Sequence, residues 1–373
     1  MGGQFMKSDA CGLIFADGNG VELSDLTRLR SLAAVPFAGR YRIIDFALSD
    51  LVNSGVSKVG VVTNNKFKSL IDHVGTGSNW DLDHRNQGVF LLTPYVTSAY
   101  HPGMSDNLAS IENFLRHNLT RDVILCGSSV VFNSNLLDVL RCHQETGADV
   151  TVMYDRHDNF PSRPYIVLET DENDKLLNAW NDPSSFVSNK LFLGCMIIKR
   201  EVMLKLVEEL ISKGNGELTA QYLLHMSHNL DIRCYEYKGE SLRINSVRDY
   251  YQATLSLLDR EISRKLLDTE DILYTKVKDE APTLYTDTAR VTNSIVSDGC
   301  VIAGTVANSL IFRHVKIAKS ATLKNCVIFQ NVEIANDCYL ENVILDKDCV
   351  IRSGIKMIGH DDYPVVIGKG AVV

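Results

Sequence analysis

The chain has 373 residues, of which 45% are hydrophobic and 23% charged, and its formal net charge at pH 7 is −8. This length predicts one large or two medium domains, and the acidic balance argues against nonspecific nucleic-acid binding without excluding a local basic pocket for a small anion. No apolar run approaches the roughly 18 residues of a membrane span, no signal peptide opens the chain, and nine scattered Cys without metal-ligand spacing predict reduced thiols in a cytoplasmic protein.

The first predicted element is a buried strand at residues 11–15, which leads into a turn containing Gly18 and Gly20. A strand followed by a glycine-containing turn is where α/β proteins often hold phosphates, because backbone N–H groups converge there. This turn, however, carries the carboxylates of Asp17 and Glu22 instead of cations. Its shape indicates a phosphate loop, whereas its charge argues against one.

Strands and helices then alternate as far as about residue 255. Runs dense in β-branched residues predict strands at 58–64, 122–132 and 149–155, and the segment between the last two has helical spacing. Strand, helix and strand in this order indicate βαβ units and a mostly parallel sheet. Residues 246–268 have one apolar face and predict a single helix, after which a polar stretch to about residue 285 resembles a linker.

From about residue 289 the spacing of apolar residues changes to 6, 6, 5, 6, 6, 5 and 6, and a small or apolar residue stands two positions before most of them. Such near-regular sixes are typical of a left-handed parallel β-helix built from hexapeptide repeats. We therefore predict an α/β domain at 1–255, a helix and linker at 256–285, and a β-helix at 286–373. The apolar positions are Ile311, Ile317, Leu323, Ile328, Ile334, Leu340, Leu345 and Ile351, and Cys300, Cys326, Cys338 and Cys349 are predicted to fill the same core.

Residues 34–64 resemble the bacterial ADP-glucose pyrophosphorylase (glucose-1-phosphate adenylyltransferase) family through the sequence AVPFAGRYRIIDFALSDLVNSGVSKVGVVTN. Shorter matches at 75–83, 88–95 and 235–239 and the hexapeptide tail extend the resemblance over essentially the full chain. The resemblance implies a Rossmann-like nucleotidyltransferase domain followed by the β-helix. It also implies glycogen biosynthesis, in which this family forms ADP-glucose and diphosphate from ATP and glucose 1-phosphate.

The positions that match the family's charged catalytic residues carry other residues in this chain. The resemblance implies that, in the phosphate loop, Asp17 stands in place of the first glycine and Glu22 in place of the arginine, and that Leu32 stands in place of the lysine that follows. It also implies that Ser128 and Ile244 stand in place of the two magnesium aspartates. Asn181 and Asp182 stand in place of the glutamate and the lysine at the sugar phosphate. Joining two anions requires fixed positive groups and a metal ion, and removing one such stabiliser typically costs roughly 10²–10³ in rate. We therefore expect little or no activity from this chain alone, and neither a metal ion nor a cofactor bound by it.

This pattern resembles the noncatalytic, GlgD-type regulatory subunit of the family. That resemblance implies a heterotetramer with a catalytic subunit, which would hold the Mg²⁺, and self-association of this chain into a homo-oligomer is also expected because solenoid ends need a cap or a partner. Two alternatives stay open. One is an active nucleotidyltransferase with a rearranged metal site built from carboxylates such as Asp17, Glu22 or Asp182, and the other is a nucleotide or sugar-phosphate sensor without an enzyme partner.

Arg40 and Arg42 have two interpretations. Arg40 matches a basic family residue near an anionic effector site, so the pair could form one wall of an effector or subunit-interface pocket. Alternatively, Arg42 pairs with Asp45 or Asp50 and braces the first βαβ unit.

Trp80, Asp81 and Asp83 match a family segment that lies near the cleft. They are either a remnant of the sugar-nucleotide site or a packed tryptophan followed by solvated carboxylates.

Overall fold

The computed structural model describes residues 8–18, 21–63, 66–85, 87–93, 107–157, 160–213, 218–225 and 229–373. No helix within these ranges is long and apolar enough to cross a membrane. The helices are α1 (Asp25–Arg28), α2 (Ile43–Asn53), α3 (Lys68–Val74), α4 (Asn107–His117), α5 (Leu137–Thr146), α6 (Arg200–Lys213), α7 (Ala220–His225), α8 (Val247–Ser256) and α9 (Arg260–Leu267). The first thirteen strands are β1 (Ala10–Phe15), β2 (Pro36–Phe37), β3 (Tyr41–Arg42), β4 (Lys58–Val62), β5 (Gly88–Leu92), β6 (Asp122–Cys126), β7 (Val130–Phe132), β8 (Val150–Arg156), β9 (Ile166–Thr170), β10 (Leu176–Asn181), β11 (Lys190–Lys199), β12 (Ile232–Glu236) and β13 (Ser241–Arg243).

A nine-stranded sheet forms the centre of the first domain, in the order β10-β9-β11-β6-β1-β4-β5, with β8 beside β11 and β12 beside β8. Parallel pairs join β6, β1, β4 and β5 and also β8 and β12, so the sheet is mostly parallel, as the sequence predicts. The predicted helix between β6 and β8 is α5, which ends at Gly147 in the left-handed conformation. The two strands do not pair, however, because β11 lies between them and runs antiparallel to both.

Two predicted elements are interrupted in the structure. The strand predicted over 122–132 divides into β6 and β7, and the N–H of Gly127 between them donates to the Gly194 carbonyl at 2.7 Å. The single helix predicted over 246–268 was wrong, because the chain turns at 257–259 between α8 and α9. Asp259 accepts a hydrogen bond from the Glu261 N–H at 2.8 Å and so caps a new helix instead of continuing the old one.

The second domain is a left-handed β-helix of three five-stranded parallel sheets. Strands one coil apart pair in register, so that Lys316, Glu333 and Val350 stand above one another at intervals of seventeen residues. Its strands are β14 (Leu284–Tyr285), β15 (Arg290–Thr292), β16 (Ile295–Val296), β17 (Val301–Ile302), β18 (Thr305–Ala307), β19 (Leu310–Ile311), β20 (Lys316–Ile317), β21 (Thr322–Lys324), β22 (Val327–Ile328), β23 (Glu333–Ile334), β24 (Tyr339–Glu341), β25 (Val343–Leu345), β26 (Val350–Ile351), β27 (Lys356–Ile358) and β28 (Val365–Ile367).

The predicted inward positions of the β-helix are confirmed. All eight apolar positions and the four cysteines predicted beside them are buried. Corners of the coils are formed by residues in the left-handed conformation, including Asn308, Asn325 and Asn342, with φ values of 47°, 50° and 53°. Asparagine adopts this conformation more readily than most residues, and the Asn325 amide also donates to the Asn342 side-chain oxygen at 3.0 Å, which links successive corners.

One face of the β-helix packs against the first domain along an apolar seam, formed by the segment 21–46, α8 and the side chains of Leu310, Phe312, Val327, Phe329 and Ile344. Tyr250 on α8 is fully buried in the seam and donates its hydroxyl to the Pro36 carbonyl at 2.7 Å. A buried ion pair also spans the two domains, in which one guanidinium nitrogen of Arg30 contacts both carboxylate oxygens of Asp346 at 2.9 and 2.7 Å.

We expect the substitution Asp346→Ala to lower the free energy of unfolding by about 3–5 kcal/mol, because it leaves the Arg30 guanidinium buried without a counter-charge. Urea unfolding followed by circular dichroism measures the change. The matched control is Glu333→Ala, which breaks the exposed pair with Lys316 on the β-helix surface and should cost less than about 1 kcal/mol. Equal losses in the two variants would contradict the role of the buried pair.

Candidate functional site

A cleft opens where β1 and β6 end, which is the edge of the sheet at which α/β proteins bind their ligands. It encloses about 1060 Å³, counting the part that is open to solvent. Its walls are mainly apolar and its polar groups are few. The lining residues are Phe15, Gly18, Val21, Leu125, Cys126, Gly127, Ser129, Val130, Pro164, Tyr165, Ile166, Asn181, Asp182, Phe192, Gly194, Met196, Leu218, Thr219, Ala220, Leu223, Arg243 and Asn245.

The described part of the loop after β1 packs on Leu32. Gly18 has φ of 71°, and a Cβ atom on it would lie 2.4 Å from a Leu32 methyl carbon. Leu32 is 1% exposed and belongs to the apolar seam, so the residue at the family's lysine position faces the core. Glu22 is exposed and does not line the cleft, and Gly20 lies outside the described residues.

The residue matched to the first magnesium aspartate does not reach the cleft. Ser128 is buried, and its hydroxyl donates to the Phe15 carbonyl at 2.8 Å, which ties the turn after β6 to the end of β1. The next residue, Ser129, lines the cleft instead. The side chain at the matched position therefore holds the fold together, and its neighbour meets the cleft.

A similar arrangement occurs at the second matched aspartate. Ile244 is fully buried in the seam, whereas Asn245 lines the cleft. The Asn245 amide group donates to the carbonyls of Ser162 and Pro164, each at 2.8 Å. Position 244 thus serves the core, and position 245 is the one that presents a polar side chain to the cleft.

Asn181 and Asp182, at the end of β10, do line the cleft. Asp182 has φ of 44°, and it exchanges two hydrogen bonds with Tyr165: its carboxylate accepts from the Tyr165 N–H at 2.8 Å, and its own N–H donates to the Tyr165 carbonyl at 3.1 Å. The position that the resemblance matches to the sugar-phosphate lysine therefore carries a fixed carboxylate in the cleft lining.

Arg243 supplies positive charge to the cleft lining but is already neutralised. It forms a buried ion pair with Asp155 and donates to the Phe192 carbonyl at 2.8 Å. Burial opposes ionisation of Asp155, yet the hydrogen bond from His157 and the charge of Arg243 outweigh it and hold the pKa of Asp155 below its usual value. The sequence match did not single out Arg243, whose role depends on a partner 88 positions away.

The groups that line this cleft do not fit the magnesium ion that the family uses. Mg²⁺ prefers carboxylate oxygens in octahedral geometry. Ser128 is turned away and Ile244 is apolar, so neither matched position offers a ligand, and Asp182 is the one carboxylate in the described lining. Asp81, Asp83 and His84 do gather their ligand atoms within 4.8 Å of one another, but all three are exposed and none lines the cleft.

Trp80 also lies away from the cleft. It is fully buried and packs edge-to-face on His73 with ring centroids 5.7 Å apart. The His73 ring contacts the Asp45 carboxylate at 2.5 Å. This arrangement matches the interpretation of a packed tryptophan followed by solvated carboxylates.

Arg42 belongs to a second group of charges, where the first domain meets the β-helix. Its guanidinium donates to the Ser69 carbonyl at 2.6 Å and hydroxyl at 2.8 Å, whereas it is the Arg42 backbone N–H that reaches Asp45. Burial lowers the pKa of Arg42 to about 10. Burial and the charges of Arg42 and Arg30 lower the pKa of Lys347 to about 7, with Asp346 opposing and Lys369 adding to the shift.

The predicted pairing of the Arg42 guanidinium with Asp45 or Asp50 is therefore not found. Asp50 instead accepts a hydrogen bond from the Ser134 N–H at 2.9 Å. Arg40 is exposed in the turn between β2 and β3, where its guanidinium lies 5.4 Å from the ring centre of Tyr41.

Comparison with known proteins supports this description of the chain. The family model named nucleotidyl transferase matches residues 11–254, and the model described as GlmU-like, C-terminal hexapeptide, matches residues 281–363. The chain is 35% identical over 357 residues to the glycogen biosynthesis protein GlgD of Bacillus subtilis, covering 94% of this chain and 93% of that protein. It is 32% identical to the glucose-1-phosphate adenylyltransferase of Mycoplasma mobile and 28% identical to that of Clostridium acetobutylicum, each alignment covering 84% of both proteins.

We expect Gly18→Ala to destabilise the protein by about 1–3 kcal/mol, because the new methyl group overlaps Leu32 and φ is positive. In a Leu32→Ala background the same substitution should cost less, since the overlap is gone. Urea unfolding of the four proteins gives the coupling energy. The control is Gly147→Ala, where φ is 66° but no atom lies within 4 Å of an added Cβ, so the loss of stability there reflects backbone strain alone. Equal costs of Gly18→Ala in both backgrounds would contradict the packing of this loop on Leu32.

We expect the stability of the protein to rise between pH 7 and pH 9 through Lys347. An unfolded lysine has a pKa of about 10.4, so in this window the unfolded chain binds a proton that the folded chain has released, and the free energy of unfolding increases with pH. Lys347→Met should remove this contribution and should be most stabilising at pH 7. Urea unfolding of the wild type and the variant at pH 7 and pH 9 measures this contribution. A difference in the free energy of unfolding between the two proteins that is the same at both pH values would contradict the prediction.

Proposed function

Since the chain belongs to the glucose-1-phosphate adenylyltransferase family of nucleotidyl transferases, we propose that it acts in glycogen biosynthesis as a noncatalytic regulatory subunit. In this role it assembles with a catalytic subunit, as a heterotetramer, and alters the rate at which that subunit forms ADP-glucose and diphosphate from ATP and glucose 1-phosphate. The chain itself contributes little or no turnover, and the Mg²⁺ of the reaction is held by the catalytic subunit.

The observation that carries this proposal is the charge of the cleft. Adenylyl transfer from ATP to a sugar phosphate joins two anions and depends on cations that are already in position. In the described lining, Arg243 is already paired with Asp155. Asp182 stands where the resemblance implies a lysine, and Asn245 follows Ile244, whose side chain cannot bind a metal ion. Several losses of the same sign in one site favour release from catalysis over a rearranged enzyme.

The rest of the molecule supports a role in assembly. In the described residues Gly18 packs on Leu32 and the apolar seam is closely packed, as expected of a chain whose shape matters for assembly. At one end of the β-helix, the first strands β14, β15 and β16 have no further strand beside them among the described residues, and such ends favour association with another subunit or with a second copy.

Regulation by an anionic effector fits the second group of charges. Arg30, Arg42 and Lys347 lie together between the domains, where burial and, after it, the charges of Arg42 and Arg30 lower the pKa of Lys347 against the opposing charge of Asp346. An anion bound there would favour the charged form of Lys347 and would therefore reduce the pH dependence of stability described above.

We expect this chain, assayed alone with ATP, glucose 1-phosphate and Mg²⁺, to form ADP-glucose at least roughly 10²–10³ times more slowly than the catalytic subunit. Added in increasing amounts to a fixed quantity of the same organism's catalytic subunit, it should change the rate or the substrate affinity until the effect saturates. Size-exclusion chromatography of the same mixtures should show a complex larger than either subunit.

The variant Asp346→Ala, in which the contact between the two domains is weakened, should be titrated against the catalytic subunit in the same way.

Turnover by the pure chain that EDTA abolishes and that Glu22→Ala or Asp17→Ala destroys would instead support the rearranged enzyme. An unchanged rate and no complex at any ratio would contradict the regulatory role.

A further inference from the structure

We infer that the cleft of the first domain binds a neutral, hydroxyl-rich ring, a hexopyranose without phosphate, and rejects the phosphorylated sugar. The inference deepens the proposed function and rests on it in one respect: a cleft released from phosphoryl transfer is free to prefer a different ligand. Three independent properties of the lining carry it, namely its charge, its hydrogen-bonding groups and its apolar walls.

The charge of the lining disfavours a phosphate group. Its two ionised side chains within the described residues are Asp182 and Arg243, and the guanidinium of Arg243 is already bound to Asp155 and to the Phe192 carbonyl. The internal segments outside the described ranges contain no lysine or arginine in the sequence. A sugar phosphate in this cleft would therefore meet the carboxylate of Asp182, and the described lining offers no free Lys or Arg to offset it.

Two side chains of the lining, Asn245 and Asp182, present oxygens that can accept hydrogen bonds, and the hydroxyls of Ser129 and Thr219 and the Asn181 amide line the cleft as well. Both hydrogens of the Asn245 amide are used by the carbonyls of Ser162 and Pro164, which fixes the orientation of that side chain and leaves its oxygen as an acceptor. One oxygen of Asp182 accepts from the Tyr165 N–H, and the other has no partner among the described residues. Sugar hydroxyls can donate to these oxygens, whereas the oxygens of an ionised phosphate can only accept.

Apolar and aromatic surface makes up the rest of the site. Ile166, Phe192 and Met196 form one side of the cleft, and they can cover the C–H face of a pyranose ring. Tyr165 also lines the cleft, and its ring stacks on Phe160 with centroids 5.2 Å apart and planes inclined by 19°. Flat aromatic faces next to hydrogen-bond acceptors suit a ring that is apolar on its faces and polar at its edge.

Two matched probes test the inference directly. Methyl α-D-glucopyranoside and α-D-glucose 1-phosphate share the ring and the anomeric configuration and differ in the charge of the group on the anomeric oxygen. In isothermal titration calorimetry of the full-length chain alone, we expect the neutral glycoside to bind at least about tenfold more tightly than the phosphate. Adenosine and ATP, with and without Mg²⁺, serve as further arms that separate a sugar from a nucleoside.

Substitutions distinguish the charge of the site from its hydrogen bonds. Asp182→Asn keeps an acceptor oxygen but removes the charge. It should therefore strengthen binding of glucose 1-phosphate several-fold and reduce the preference for the glycoside over the phosphate. Asn245→Leu removes the fixed acceptor and should weaken binding of the glycoside about tenfold. Asp138→Asn, at an exposed position of α5, is the matched control and should change neither affinity. Circular dichroism of each variant verifies that it is folded.

Glucose 1-phosphate binding as tightly as the glycoside, or ATP or adenosine binding more tightly than either, would overturn the inference. Absence of binding by every probe to the folded wild-type chain would also overturn it. Neither result bears on the regulatory role, because that role is measured through the activity of the catalytic subunit. Conversely, a chain that fails to affect the catalytic subunit could still show the preference for the neutral sugar.

Discussion

The apolar seam between the two domains is the constraint on which the other features of this chain depend. The segment that follows β1 supplies its side chains to the seam and, at the same time, carries the loop that shapes the cleft. Leu32 belongs to both, because it lies in the seam and packs against Gly18 of the loop. The buried contact of Arg30 with Asp346 adds a polar link between this segment and the β-helix. The loop beside the cleft and one face of the β-helix therefore share the packing of the seam.

Features of the fold that depend on repeated local patterns could be predicted from the sequence. The period of apolar residues in the second domain was sufficient to assign a β-helix, because every coil repeats the same inward positions. The helix α5 and its end at Gly147 followed from spacing and from a single stop signal. In contrast, β11 was not predicted, and its place between β6 and β8 depends on pairing over long range. The apolar face that predicted one helix continues past the break between α8 and α9. The break depends on Asp259, which caps a new helix.

The candidate site was predicted in outline but not in its detail. A match of motifs identifies which residue has replaced which, yet it does not say where the replacement points. Ser128 and Ile244 are the residues that the match singled out, and the structure turns both of them toward the interior. Their neighbours Ser129 and Asn245 are the ones that meet the cleft. The matched position alone therefore does not determine which of two neighbouring side chains reaches the cleft.

The packing of Leu32 against Gly18 bears on the evolutionary history of the chain. A lysine restored at position 32 would not return to an idle active site, since its ammonium group would first have to leave a place that is 1% exposed and filled by carbon. Reversal would need compensating changes in the loop and in the seam before any gain in chemistry could be selected. For the proposed regulatory subunit, the stability of the core would thus oppose a return to catalysis.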